Sequence, residues 1–171
     1  MGMDVYGKKA TNKKGEYFRR NVWGWRPLWD YCLDTFAIAE KVEDGHSNSG
    51  HGLNAENSRI LAEQMKLAIA NGSAQEYIEE RNTKLAQMER PTCEYCVGTG
   101  IREDEVGKHQ DMPNRKLSDE MASLTGRTHG WCNVCDGEGK VDAWETSYHL
   151  DLDDIKEFAE FLENCGGFQI C

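Results

Sequence analysis

An eight-residue pattern, C-x-x-C-x-G-x-G, occurs twice in this chain and constrains what the residues around it can do. The first copy runs Cys93-Glu-Tyr-Cys96-Val-Gly98-Thr-Gly100. The second runs Cys132-Asn-Val-Cys135-Asp-Gly137-Glu-Gly139, with 35 residues between Cys96 and Cys132. Two residues between thiols is the spacing of a zinc knuckle, in which both sulfurs reach one ion at about 2.3 Å. After the second Cys the backbone must turn back so that its N–H groups face the sulfurs, and Gly reaches positive φ without a Cβ penalty. A lone C-x-x-C also reads as a redox pair, but two copies with matching glycines fit one tetrahedral four-cysteine site better. The expected ligands are Cys93, Cys96, Cys132 and Cys135, holding one structural Zn2+. Four thiolates close the coordination sphere, so no catalytic zinc and no catalytic residue are expected.

The two repeats resemble those of the DnaJ-type chaperone zinc region. That family carries four such repeats, which pair to hold two zinc ions, so the resemblance implies a single site here. The His-Pro-Asp signature of the J-domain is absent, since the three prolines follow Arg26, Arg90 and Met112, and chaperone function does not carry over. More broadly, Met3-Asp-Val-Tyr-Gly-Lys-Lys, the Trp-rich segment after it and Thr125-Gly-Arg-Thr-His-Gly-Trp-Cys look similar to proteins of bacteria and their phages. That likeness implies no activity.

Apolar residues make up 39% of the 171 residues and charged residues 29%, so the core must be economical and a metal staple useful. The net charge of −10 is uneven. The basic side chains Lys8, Lys9, Lys13, Lys14, Arg19, Arg20 and Arg26 gather near the N-terminus, and the acidic excess lies beyond them. An acidic body argues against general nucleic-acid binding, which leaves a basic footprint. No apolar run approaches the ~18 residues that span a bilayer, no signal-peptide pattern opens the chain, and cysteines in metal-type pairs suit a reducing, cytoplasmic setting.

The fold class expected is α+β, mainly helical, with a four-cysteine zinc-knuckle lobe and a few short strands. Residues 1–20 read as a basic, extended or mobile arm, and residues 21–92 as a helical part with an aromatic-rich segment and a helical hairpin. Residues 93–150 form the zinc lobe, and residues 151–171 a C-terminal helix and short strand. Pro27 suits the first turn of a helix reaching about Val42. Asn54 caps a helix over about 55–70, and Ser73 with Glu76 forms a capping box for a helix reaching about Arg90. Ser118 and Gly126 bracket a short helix. Residues 140–150 have strand character and are expected to pair near Gly100-Ile101. Asp151 to Asp154 open the last helix, and Phe168–Cys171 adds a terminal strand. Cys32 reads as core, and Cys165 and Cys171 as free thiols.

None of the common catalytic motifs occurs. The first functional expectation is therefore an interaction module whose zinc fixes a surface and whose acidic body addresses a protein partner. An alternative is a small-ligand or nucleotide binder, or a hydrolase, using the loop Gly45–Gly52, where free N–H groups at the neighbouring helix start favour a small anionic ligand. Its candidate contacts are Trp25, His46, Ser47, Asn48 and His51, with Arg127 and His129 near the zinc lobe. A third reading is nucleic-acid binding through the basic arm and the lobe. No membrane association is expected.

Overall fold

The architecture is α+β, with six α-helices and one small antiparallel sheet among the described residues. The structure, a computed structural model, describes residues 2–171. The chain divides into two compact units, Met1–Ala86 with Ser147–Cys171, and Gln87–Thr146.

The first unit is built on a three-stranded sheet. β1 (Gly2–Gly7) lies between β2 (Tyr17–Asn21) and β3 (Phe168–Ile170), antiparallel to both, with Val5 opposite Phe18 on one side and Ile170 on the other. Alternation explains β1: Met3 and Val5 are buried and Tyr6 faces solvent. Where an extended or mobile arm was expected, residues 2–21 supply two of the three strands. Their alternating set is only Met3, Val5 and Phe18, interrupted by Gly and Lys, and is too sparse to stand out in the sequence.

Three of the basic side chains of this segment, Lys14, Arg19 and Arg20, pair with carboxylates inside the unit. Arg20 donates from Nε to Asp154 at 2.7 Å and also pairs with Glu157, Lys14 pairs with Glu160, and Arg19 lies 3.4 Å from Asp4. Arg20 and Lys14 thus offset three acids of the last helix, Asp154, Glu157 and Glu160.

Helix α1 (Val22–Thr35) begins earlier than the Pro27 signal suggests, because Asn21 caps it by accepting from Gly24 N–H at 2.9 Å. Pro27 therefore sits in the second turn, where it has no N–H to give the Trp23 carbonyl. The helix stops at Thr35, and a 3-10 turn over Ala37–Lys41 replaces its expected last turn. Helix α2 (Ala55–Asn71) has the expected Asn54 cap and ends at Gly72, whose φ of 87° is left-handed. Helix α3 (Ser73–Ala86) follows at once. The expected capping box is replaced by Asn71, whose side-chain oxygen accepts from both the N–H and the hydroxyl of Ser73.

The last helix of this unit, Leu152–Asn164, buries one face formed by Ile155, Phe158, Ala159, Phe161 and Leu162. Asp151 and Asp154 form a reciprocal capping box at its start. Phe158 stands edge-on to Trp25, at 5.5 Å and 84°, and Trp25 stacks on Trp29 at 5.6 Å and 8°. Phe18, Phe161 and Phe168 complete the cluster around Phe158.

In the second unit, α4 spans Glu105–His109 and α5 spans Asp119–Thr125, the latter bracketed by Ser118 and left-handed Gly126 as expected. The helix at Leu152–Asn164 is accordingly α6. The strand expected over residues 140–150 is not formed. Lys140 pairs with Thr92, and Trp144–Ser147 is a 3-10 turn.

Phe158→Ala should destabilise the first unit by about 3–5 kcal/mol, the usual cost of emptying a buried aromatic site. Urea denaturation followed by tryptophan fluorescence checks this. A loss below about 1 kcal/mol would show that Phe158 is not central to the core.

Candidate metal centre

Each repeat builds the same local structure. In the first, Gly98 N–H donates to the Cys93 carbonyl, Thr99 N–H to the Cys96 carbonyl, and Gly100 N–H to the Cys96 sulfur at 3.3 Å. In the second, Gly137, Glu138 and Gly139 make the matching bonds to Cys132, Cys135 and the Cys135 sulfur, the last at 3.2 Å. All four motif glycines have positive φ: 83° and 72° at Gly98 and Gly100, 84° and 80° at Gly137 and Gly139. The backbone amides thus face the sulfurs, where they stabilise thiolate charge.

The two repeats are joined reciprocally. Cys93 N–H donates to the Gly139 carbonyl at 2.9 Å and Val141 N–H to the Pro91 carbonyl at 3.0 Å, tying the entry of the first repeat to the exit of the second. Arg102 N–H donates to the Trp131 carbonyl at 3.0 Å, tying the exit of the first to the entry of the second. The last glycine of each repeat lies on the other repeat's backbone. A Cβ at Gly100 would run into the Gly137 carbonyl, and one at Gly139 into the Gly98 carbonyl.

The result brings four thiols to one point. Cys93, Cys96, Cys132 and Cys135 are all buried, with their sulfurs within 4.8 Å of one another. Cys93 and Cys132 stand 3.9 Å apart and Cys96 and Cys135 3.7 Å apart. A tetrahedral ion with metal–sulfur bonds of about 2.3 Å needs sulfur–sulfur separations of about 3.8 Å. The donor set therefore fits a metal ion. Burial pushes the Cys135 thiol up to about 12, whereas at Cys93 amide hydrogen bonds from Cys96 and Tyr95 outweigh burial and lower it. A cation is what would draw the protons from such a cluster.

A second layer supports the ligands. Arg102, itself buried, holds Asp104 through two nitrogens at 2.9 Å, donates to Asn133 at 2.9 Å, and covers the Tyr95 ring at 4.8 Å. The hydrogen bond from Arg102 keeps the Asp104 carboxyl below its ordinary range, and Asp104 also caps α4 through Gly107 N–H. Sequence reasoning missed Arg102. The one available signal was its position two residues past the first repeat and two before an acid that starts a helix.

The other candidate residues are dispersed. Trp25 is wholly buried, and its indole N–H donates to the Gly45 carbonyl at 2.8 Å, so its surface is taken up by the core. His46 pairs with Asp30 at 2.9 Å, Asn48 donates to the Gly2 carbonyl, and His51 lies 3.6 Å from Glu43. Ser47 is half-buried beside them. The loop itself docks on β3, through Gly50 N–H to Ile170 and Ile170 N–H to His51, and its glycines serve packing. A Cβ at Gly45 would strike the Trp29 ring, and one at Gly52 the Phe168 carbonyl. Arg127 donates to the Gly137 carbonyl at 2.6 Å, bracing the second repeat. His129 is exposed, bonded to Thr128, and stands outside the sulfur cluster. Cys32 and Cys165 are buried and Cys171 is exposed.

Gly139→Ala should weaken metal binding by at least about tenfold, because both its φ and the Gly98 carbonyl oppose a side chain. Gly72→Ala, at positive φ but with open space around it, should leave metal affinity unchanged. Competition against a chromophoric chelator measures both; equal affinities would refute the interlocked-repeat geometry.

No known protein family matches the chain, and no curated protein or solved structure matches it either.

Proposed function

We propose that the chain is a zinc-stabilised interaction module that presents the tip of the first repeat to a basic protein partner. The observation that carries this is Val97. It is 80% exposed and held at φ 50°, a left-handed conformation that is a genuine outlier for a β-branched residue. Its counterpart in the second repeat is Asp136 at φ 48°, a residue type that tolerates this conformation. A valine here costs backbone energy and gains no burial within the chain. Strain of that kind is a pointer to function when the surroundings enforce it, and here the repeat's hydrogen bonds do so.

Zinc is the ion of choice for a buried, closed set of four thiolates, where it acts as a staple rather than a reagent. Tyr95 is also exposed near the first repeat's sulfurs, and Glu94 beside it adds negative charge. An aliphatic contact beside acidic groups suits a basic segment of another protein. The nucleic-acid reading is less well supported, because Lys14, Arg19 and Arg20 are already paired with carboxylates. The anion reading at residues 45–52 loses its cradle to the contacts with β3.

Val97→Asp should abolish partner recovery while leaving metal content and thermal stability intact. Affinity capture at low and high salt, with wild type and variant in parallel, reads this. The same proteins recovered with both forms would overturn the assignment.

A further inference from the structure

A groove of about 400 Å³ lies within the first unit between α1 and α3, lined by Asp30, Leu33 and Asp34 on one side and Tyr77, Arg81 and Lys84 on the other. That volume falls in the usual range for small-ligand sites. The α1 wall is acidic, and the α3 wall carries two bases, Arg81 and Lys84, beside one acid, Glu80, yet among the described residues no ion pair within 4.0 Å closes on Arg81 or Lys84, and none joins Asp34 to a base. The acids are instead oriented by neutral or weakly basic partners. Tyr77 donates its hydroxyl to Asp34 at 2.7 Å, and His46 holds Asp30 at 2.9 Å. Arg81 Nη1 is enclosed and meets no acceptor among the described residues. Leaving such a nitrogen unsatisfied is costly, so it marks a place for an acceptor from outside the chain.

We propose that this groove binds a small zwitterion bearing an ammonium and a carboxylate, the chemistry of a free aliphatic α-amino acid. The ammonium lies toward Asp30 and Asp34, whose remaining lone pairs accept its protons. The carboxylate lies toward Arg81, whose planar fork matches it, with Lys84 adding charge. Leu33 supplies apolar surface for the side chain. The ligand bridges charges that the fold holds too far apart to pair with each other. This site is independent of the metal centre and of the Val97 surface.

The test is a titration of the full-length, metal-loaded, 15N-labelled chain with L-leucine, following the amides of residues 30–34 and 77–84. Isopentylamine, which lacks the carboxylate, and 4-methylpentanoate, which lacks the ammonium, are titrated in parallel. Saturable shifts with leucine, and binding at least about tenfold weaker for each single-charge analogue, are expected. Arg81→Gln should weaken leucine binding by about tenfold or more with the rest of the spectrum unchanged; if that variant unfolds, Lys84→Gln should weaken it in the same direction. Absence of saturable shifts at about 10 mM leucine would overturn the proposal. Isopentylamine binding as tightly as leucine would do so too, since the groove would then be a simple cation site.

Discussion

Everything in the second unit depends on four thiols meeting at one point. Beyond the cysteines, its buried apolar side chains are Met112, Leu117 and Ala143, and its one buried cluster is Cys93, Cys96, Cys132 and Cys135 with Val141 against it. Such a short stretch of chain cannot bury enough apolar surface to offset the ordering of its backbone. A metal ion held by the four thiols would replace the missing core, and its binding free energy would become folding free energy of the unit. The glycines follow from the same constraint. Gly100 and Gly139 are needed because two backbones must touch for two pairs of sulfurs to converge, and a methyl group at either would hold the repeats apart.

The first unit reaches stability by the ordinary route. Five aromatic rings from β2, α1, α6 and β3 interlock around Phe158, and paired charges rim them. Arg20 shows how the two levels connect. It lies over the Phe18 ring at 4.8 Å while it holds Asp154 and Glu157, so one side chain covers the aromatic core and ties the N-terminal sheet to the last helix. Desolvation of Arg20 is outweighed by these two acids, which raise its proton affinity. Part of the chain's uneven charge is in this way paired within the unit.

What could be read from the residues divides along a physical line. The sulfur cluster, the caps at Asn54 and Ser118, the left-handed stop at Gly126 and the terminal strand were legible, because each is a local requirement written in adjacent residues. The sheet was not. β1 is specified by pairing with β2 and with β3, the latter more than 150 residues away, β2 pairs with β1 alone, and the alternation of both is weak. The start of α1 was misplaced because Pro27 is the louder signal, although Asn21 makes the cap. Residues 140–150 look like a strand by composition, but Lys140 is taken by Thr92 and no second partner follows. Around the metal, the four cysteines were explicit, while Arg102 was not, since its role arises from a fold that stacks it on Tyr95. The glycine-rich loop at residues 45–52 misled for the opposite reason: glycines that admit a ligand and glycines that admit Trp29 or Phe168 look alike in a sequence.

One ion, held by the two interlocked repeats, would organise the second unit and leave the rest of the chain's chemistry to its folded surfaces. Native mass spectrometry of the freshly purified, unmodified chain tests it most directly. The expected spectrum shows one zinc ion per chain, with the mass corrected for the thiol protons displaced. A metal-free chain with its four motif cysteines joined in disulfides would contradict the account.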